Sequence, residues 1–599
     1  MTLALAANPA ATGRADAPFW SPRQVRALTA TAVLVAVLVR AWLLLGQSIG
    51  GDSLVLVGSV ALGEAGPDLS LLELTGANLA LALAPLDFWP LALVLLALWV
   101  AYCGTAWVAA RELLQPGARR LALFLLLIYS PLTIPGMSTW PIGAEQTAFA
   151  VGSLLVVTGA ARLHRSGRTR DAWLLPAGVV VAMAGSTAVP WGLAWITGAW
   201  AVALVWMPHI GWRRSRLQAR RALATSALAM LPLVAWALLS SSWPVAALPR
   251  DLGEAAAFLG QSIGSGLVPG LAGGPIAWTS DLSVAPTAAA PVWIVAAGIQ
   301  VLLIGLVTTL FVTGRGLLPW GAGLFATGLA LVCAALGTSP LVAGTGGQLL
   351  GLAAAPALLA PAAAACLAAV PHPARAAIPL PSWLDARSRA VIGVVAIDAF
   401  LAVSAMTTIG WNDARATYPG EDFVASARAA LAMAARDVPV LPQVVPPNVV
   451  NPAYAPLNRT DVIFAPLDAR PAFADWTPVL QVLDSEGSLR PARVAGIPVP
   501  VDCTDTGLVV GEFPRLPEFG YVIEFALPAP DLYGFAVTLG GGEPVAVPPD
   551  PSRTRVFVQV VGGGDTLEVS SLGAEPLCAD SLRIGQAELI DAPAPEALP

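Results

Sequence analysis

Repeated apolar stretches of about twenty residues are the feature that most constrains the fold of this chain. A helix of that length spans the ~30 Å hydrocarbon core of a bilayer, where only helices and closed barrels satisfy their backbone hydrogen bonds. The chain has 599 residues, is 56% hydrophobic and has a mean hydropathy of +0.72. We therefore predict an α-helical polytopic membrane protein.

The apolar stretches predict about eleven spans between residues 25 and 410. We place them at 25–46, 88–110, 121–138, 142–161, 173–190, 192–209, 222–242, 290–313, 318–337, 348–370 and 390–410. Arginines cluster in every second connection, and the positive-inside rule makes those connections cytoplasmic. We therefore predict a multi-pass protein of the cell membrane, with a cytoplasmic tail at 1–24 and an extracytoplasmic C-terminus.

Two of the predicted outer connections, 47–87 and 243–289, are far longer than a turn between helices requires. The first loop (residues 47–87) is rich in acids and has no base. Its acids are Asp52, Glu64, Asp68, Glu73 and Asp87. Its apolar parts, 54–62 and 69–86, are predicted to be short helices along the membrane. An acid such as Asp52, at the outer end of a helix bundle, is either a solvated residue of the loop or a catalytic or ligand-binding group.

The composition becomes polar and proline-rich after residue 410, which indicates a region outside the membrane. Residues 411–495 are predicted to be a small extracytoplasmic α/β domain with a helix at 421–436. Its strands are predicted at 438–445 and 460–467. Residues 496–599 are predicted to be an extracytoplasmic β-sandwich. Its strands are predicted at 521–527, 534–539, 553–561 and 566–569.

Two cysteines lie in the predicted outer region, Cys503 and Cys578, one near each end of the β-rich part. Disulfides form outside the cytoplasm, so we predict a bridge between them.

Two motifs that would each name a chemistry, a phosphate-binding loop and HExxH, are absent from the sequence. A net charge of −6 without a basic cluster argues against nucleic acid as a partner. The remaining candidates are acids near or within the predicted spans, namely Asp52, Glu145 and Asp398. Arg40 is the comparable base, and an Arg40–Asp398 pair is open to a structural or a functional interpretation.

Four segments resemble a family of actinobacterial polytopic membrane proteins of the GT-C glycosyltransferase superfamily. They are YSPLT at 129–133, STW at 138–140, LPQVVP at 441–446 and QVLDSEGSLRP at 481–491. The order of features is similar too: a first helix, an acidic outer loop, many spans and an outer β domain. The resemblance implies transfer of a sugar from a polyprenyl-phosphate donor to a cell-envelope glycan or lipid.

In that superfamily the first outer loop supplies an acidic catalytic base, and here the resemblance points to Asp52. The carboxylate would accept the proton of the acceptor hydroxyl as it attacks the anomeric carbon with inversion. Arg40 and Arg250 are then candidates to bind the lipid phosphate. Glu145 and Asp281 are further candidates for substrate binding. A divalent cation between Asp52 and the phosphate is compatible with these residues, but nothing in the sequence demands one.

We expect the site between the first loop, the 243–289 connection and the top of the 142–161 span. Membrane lipids are the other expected partners. Four aromatic residues of the outer region are open to two roles, stacking on a polysaccharide or packing in a core. They are Trp411, Trp476, Tyr521 and Tyr533. Because the first loop has a single candidate base where the superfamily has one or a pair, a non-catalytic envelope scaffold stays open. A lipid-linked sugar transporter is a weaker alternative.

Overall fold

A computed structural model of the chain is mostly helical up to residue 433 and mostly β beyond residue 475. It describes residues 21–64, 69–166, 173–185, 196–202, 231, 252–279, 286–312, 317–337, 349–367, 386–416, 420–504, 507–528, 534–573 and 577–590.

The first eight helices include two within the first loop, α2 and α3, and six that precede or follow it. They are α1 (Pro22–Leu45), α2 (Asp52–Leu62), α3 (Leu71–Leu83), α4 (Trp89–Leu113), α5 (Ala118–Ile128), α6 (Thr133–Ser138), α7 (Ile142–Ser166) and α8 (Leu174–Ala184). The later helices are α9 (Leu252–Gln261, followed by a π turn), α10 (Val292–Val307), α11 (Leu318–Gly337), α12 (Ala355–Leu367), α13 (Ala386–Ala416), α14 (Gly420–Met433) and α15 (Thr460–Ile463).

Among the described residues, five helices are long and apolar enough to cross a membrane. The stretches are Arg23–Leu45, Trp89–Leu113, Ile142–Leu163, Val292–Phe311 and Ala390–Ala416. Several other predicted spans form helices that are shorter than a bilayer requires. The span predicted at 173–190 is helical over Leu174–Ala184, and the one predicted at 348–370 is helical over Ala355–Leu367. The spans predicted at 192–209 and 222–242 lie mostly outside the described residues.

The span predicted at 121–138 is wrong as a single helix, because the chain breaks it into α5 and α6. Helix α5 ends at Ile128, and α6 begins only at Thr133. Pro131 lies in the break, where it lacks an N–H for a helical bond and disfavours helical geometry in the preceding residue. The short helix α6 is therefore free to lie beside α1 as a separate element.

The first loop forms the two predicted helices, α2 and α3. Their apolar side chains share one core with the start of α4 and with the helical part of the C-terminal region. From the first loop this core takes Leu54, Val57 and Ala77; from the C-terminal region it takes Phe423, Val449, Ile463 and Phe464. The first loop is thus enclosed by both parts of the chain.

The structure differs from two predictions for the start of the C-terminal region. Helix α13 continues through Trp411 to Ala416, so residue 411 is not a domain border. The strand predicted at 460–467 is wrong, since Thr460–Ile463 is helical. Its apolar side chains are β-formers by propensity, but they pack against the first loop, and tertiary packing overrides propensity. Residues 438–445 contribute only isolated bridges at Val440 and Val444.

The described residues form thirteen strands, of which β3 to β13 lie in the C-terminal region. The strands are β1 (Trp278–Thr279), β2 (Thr287–Ala288), β3 (Trp476–Thr477), β4 (Gln481–Leu483), β5 (Leu489–Val499), β6 (Val501–Thr504), β7 (Gly507–Val510), β8 (Leu516–Ala526), β9 (Phe535–Leu539), β10 (Val545–Val547), β11 (Arg555–Gly564), β12 (Leu567–Ser571) and β13 (Ser581–Leu589).

A six-stranded sheet in the order β3-β11-β8-β13-β5-β4 and a three-stranded sheet in the order β10-β9-β12 share one core, as a sandwich requires. Phe525 and Phe535 meet across this core with ring centroids 5.2 Å apart. Strand β5 crosses the predicted border at residue 495, so the sandwich begins earlier than predicted. The predicted disulfide between Cys503 and Cys578 is confirmed, with a Cα–Cα distance of 5.4 Å.

Candidate functional site at the first loop

Arg40 lies near the end of α1, buried at 3% exposure, and its charged group is surrounded by neutral acceptors. Its guanidinium donates to the Ser138 hydroxyl, to the Thr133 hydroxyl at 3.2 Å and to the Thr133 and Ile134 carbonyls at 3.4–3.5 Å. Its Cζ lies 4.0 Å from the centre of the Trp99 ring. Arg40 therefore ties α6 to α1 and α4, and its donors are occupied inside the protein.

The backbone at position 52 is fixed from two sides. The Gly51 N–H donates to the Val449 carbonyl at 3.2 Å, and the Ser53 hydroxyl donates to the Trp140 carbonyl at 2.9 Å. Gly51 has a φ of +49°, in the region that favours glycine, and Asp52 begins α2 directly after it. The Asp52 side chain lies outside the described residues. Its backbone stands at the junction of the first loop, the α6–α7 connection and the C-terminal region.

Glu145 lies in the first turn of α7, is 7% exposed and packs near the end of α8. A β-carbon at Gly185 would lie 3.4 Å from the Glu145 Cα, which shows how closely the two helices approach. Trp140, which precedes α7, covers Gly76 of α3 with its indole ring. Glu145 thus belongs to the same connection that holds position 52.

Residues 133–145 bring three of the predicted site residues into one region. Arg40 binds the start of this segment, Ser53 binds its middle, and Glu145 ends it. Arg250 and Asp281 lie outside the described residues. The geometry therefore places Arg40, Glu145 and the backbone of Asp52 around one short stretch of chain.

The described part of the 243–289 connection also reaches this region. Gly270 packs directly against the Leu132 side chain, one residue before α6. The Trp278 indole N–H donates to the Thr407 carbonyl of α13 at 3.1 Å. The three elements expected around the site, the first loop, this connection and the top of α7, therefore all contact the α6 segment or its immediate neighbours.

Three other acids of the first loop have structural roles or are exposed. Asp87 accepts from Arg428 of α14 at 3.0 Å, in a pair that is nearly half exposed. Glu73 forms a capping box with Ser70 at the start of α3. Burial raises the pKa of the Glu73 carboxyl, while its hydrogen bonds to Ser70 act in the opposite direction. Glu64 is exposed, and Asp68 lies outside the described residues.

The expectation of an Arg40–Asp398 pair is wrong. Arg40 is buried against α4 and α6, whereas Asp398 is exposed on α13. The sequence places both residues at membrane depth, but depth along a helix does not say which face a side chain occupies.

Of the four aromatic residues considered for sugar stacking, Trp411 and Tyr521 are buried. Trp476 is half-buried and covered by Arg553, whose Cζ lies 4.6 Å from its ring. Core packing therefore accounts for these three, and Tyr533 lies outside the described residues.

Gln146 and Ser153 of α7 are polar residues that sequence reasoning did not single out. Gln146 is 0% exposed and Ser153 is 2% exposed, and neither side chain has a hydrogen-bond partner in the part of the chain that the structure describes. They are seven residues apart, hence on one helix face, a spacing that could have been noticed in the sequence. Among the described residues there is no group of three or more His, Cys, Asp or Glu able to hold a metal ion.

No protein-family model and no curated protein matches this chain. Among solved structures, it is similar to arabinofuranosyltransferase AftD from Mycobacteria, with 12% identity, a TM-score of 0.37 and coverage of 95% of this chain and 60% of AftD. It is similar to ArnT from Cupriavidus metallidurans bound to undecaprenyl phosphate, with 13% identity, a TM-score of 0.43 and coverage of 75% and 86%.

The archaeal oligosaccharyltransferase AglB from Archaeoglobus fulgidus has 11% identity, a TM-score of 0.33 and coverage of 65% of this chain and 56% of AglB. The chain thus spans less than two thirds of the length of AftD and of AglB. At these values the similarity assigns neither a family nor an activity to this chain.

Proposed function

We propose that this chain is a membrane glycosyltransferase that transfers a sugar from a polyprenyl-phosphate donor to a cell-envelope glycan or lipid. The observation that carries the proposal is the double fixation of position 52, through Gly51 to Val449 and through Ser53 to Trp140. A catalytic base must be held in place relative to its substrate, and residues on both sides of Asp52 are anchored.

In the proposed reaction the Asp52 carboxylate accepts the proton of the acceptor hydroxyl. The hydroxyl oxygen forms a bond to the anomeric carbon of the donor sugar as the bond from that carbon to the phosphate oxygen breaks. The polyprenyl phosphate leaves with the bonding electrons, and the sugar configuration inverts. Asp52 then releases its proton to solvent.

The other site residues are given roles in keeping with their positions. Arg40 orders α6, and its buried charge adds a positive potential near an anionic donor. Because its donors are used internally, we assign direct phosphate contact to Arg250. Glu145 and Asp281 are assigned to acceptor binding. In the proposed topology the N-terminus is cytoplasmic and the C-terminal region is extracytoplasmic, as the arginine pattern predicts.

The test compares two acids of the first loop in purified protein reconstituted in nanodiscs. Asp52→Asn should lower sugar transfer from a polyprenyl-phosphate donor by about 100-fold or more, the range for a lost general base, with donor affinity nearly unchanged. Asp87→Asn is the matched control, since it removes only an exposed pair with Arg428, and it should retain activity.

Wild-type turnover in the Asp52→Asn variant would remove Asp52 as the base. Absence of transfer by the wild-type protein across a panel of polyprenyl-phosphate sugars would favour a non-catalytic scaffold. The occupied donors of Arg40 favour that second candidate, because they serve internal order instead of a ligand.

A further inference from the structure

Helix α13 is attached to the rest of the protein along one narrow face. Phe400, Ser404, Thr407 and Trp411 are all buried, and their spacing of four, three and four residues places them on one side of the helix. Thr407 bridges this side to the 273–278 segment, because its hydroxyl donates to the Gly273 carbonyl at 2.7 Å and accepts from the Ile276 N–H at 3.1 Å.

Asp398 lies on the opposite side of α13. At 3.6 residues per turn its side chain is rotated about 150° from the centre of the buried face. Its neighbours on that side are exposed and apolar or small. They are Val391, Val395, Ala402, Ala405 and Ile409. We call these residues together with Asp398 the Asp398 face.

The position of Asp398 along the helix puts it at membrane depth. It lies eight residues after Ala390, where the apolar stretch begins, which is about 12 Å along the axis. A hydrocarbon core of ~30 Å therefore contains it. No hydrogen bond or ion pair joins Asp398 to any part of the chain that the structure describes. Hydrocarbon cannot solvate a carboxylate, and the described residues supply no partner for this one.

We propose that the Asp398 face docks a membrane-spanning helix of a different protein, and that this helix carries an arginine or lysine at the depth of Asp398. Charge complementarity selects a cation as the counterpart of the carboxylate. The described spans of this chain expose basic side chains only in their terminal turns, so the same spans of a second copy offer no cation at that depth. Ala402 and Ala405 leave room for the close helix approach that small residues permit in membranes.

The proposal is tested by photo-crosslinking in membranes of the native host. A benzophenone amino acid replaces Ala402 on the Asp398 face, and in a control protein it replaces Ile299, which is exposed on α10. The Ala402 probe should yield an adduct whose partner peptide, identified by mass spectrometry, is an apolar span containing Arg or Lys. The Ile299 probe should not yield it.

Asp398→Asn should reduce that adduct at least 10-fold, and Asp398→Glu should restore it. Because Asp398 is exposed, both variants should unfold at the wild-type temperature in detergent, which separates lost docking from lost folding. An adduct with lipid only, an adduct with a second copy of this chain, an undiminished adduct in Asp398→Asn, or no adduct at all would each overturn the proposal.

Discussion

Helices α7 and α13 are both long enough to cross a membrane, yet their surroundings are opposite. In the most apolar 18-residue window, 89% of the α7 span is buried inside the protein, against 11% of the α13 span. The exposed helix is also the more hydrophobic, with a mean hydropathy of 2.1 against 1.3. In a soluble protein the more exposed helix would be the less hydrophobic one. The relation is reversed here because the medium around an exposed span is hydrocarbon.

Small residues explain why α7 can be buried so fully. Gly152 of α7 faces Gly178 and Ala182 of α8, and Ala148 of α7 faces Gly185, which directly follows α8. A β-carbon at Gly152 would lie 2.5 Å from the Gly178 carbonyl oxygen, so the two backbones are nearly in contact. Helices without a hydrophobic drive to associate rely on this kind of close packing. The exposed side of α13 has the same small residues at Ala402 and Ala405, but no helix among the described residues covers them.

The largest effect is expected at the contact between α7 and α8. Gly152→Ala should lower the free energy of unfolding by about 1–3 kcal/mol, because the added methyl meets the backbone of α8. Gly393→Ala on α13 is the matched control, since no atom of the described residues lies within 4 Å of a β-carbon there, and its effect should stay below about 1 kcal/mol. Unfolding in mixed micelles with increasing SDS measures both. Equal losses in the two variants would contradict the contrast between the helices.

A smaller effect of opposite sign is expected from Gln146 in the buried part of α7. Replacing this unpartnered amide with leucine should raise the free energy of unfolding by about 1 kcal/mol, because a buried polar group without partners is costly. Gln300→Leu on the exposed side of α10 is the control and should change stability little. A loss of stability in Gln146→Leu would mean that the amide binds a buried water or a ligand, and the interior of α7 would then be a polar site.

The smallest effect concerns an acid that is buried with partners, Glu73, in contrast to the exposed and unpartnered Asp398. Burial raises the folded pKa of Glu73 above the usual 4.5, so the folded state binds the proton more tightly than the unfolded state. Its stabilising effect is then present below about pH 4.5 and is lost as the pH rises through the folded pKa.

Glu73→Gln keeps the capping box and should make the protein slightly more stable at neutral pH. It should also flatten the decline in stability above pH 4.5, as seen in melting temperatures at several pH values. Glu64→Gln, an exposed change at the end of α2, should leave the profile as it is. An unchanged profile in Glu73→Gln would contradict the assignment of the pH dependence to this carboxyl.

Local sequence patterns correctly predict those elements that are specified by their own residues and the turns beside them. The strand predicted at 553–561 matches β11 (Arg555–Gly564), because alternation and flanking turns specify a strand within a few residues. The strand predicted at 460–467 is helical because Ile463 and Phe464 pack against the first loop, hundreds of residues away in the chain. No local pattern carries that information.

The candidate site was also predictable only in part: its residues could be found in the sequence, but their contacts could not. Its acids could be found because charged residues are rare in apolar sequence. The hydrogen-bond partners of Arg40 could not, because they lie 93 to 98 positions later and depend on the separate helix α6. The orientation of Asp398 was equally hidden, since hydropathy gives the depth of a residue in a span and not its direction.

The shared core of the first loop and the C-terminal region has a consequence for biosynthesis. Val57 packs in one core with Phe423 and Phe464, and Gly58 lies directly against the Val462 carbonyl. The ribosome therefore makes the first loop about 370 residues before the segment that completes its core, a delay of roughly 20–70 s at ordinary elongation rates. During that interval the apolar surface of α2 and α3 is uncovered. We therefore expect the nascent first loop to bind the bilayer surface or a chaperone until the C-terminal region is made.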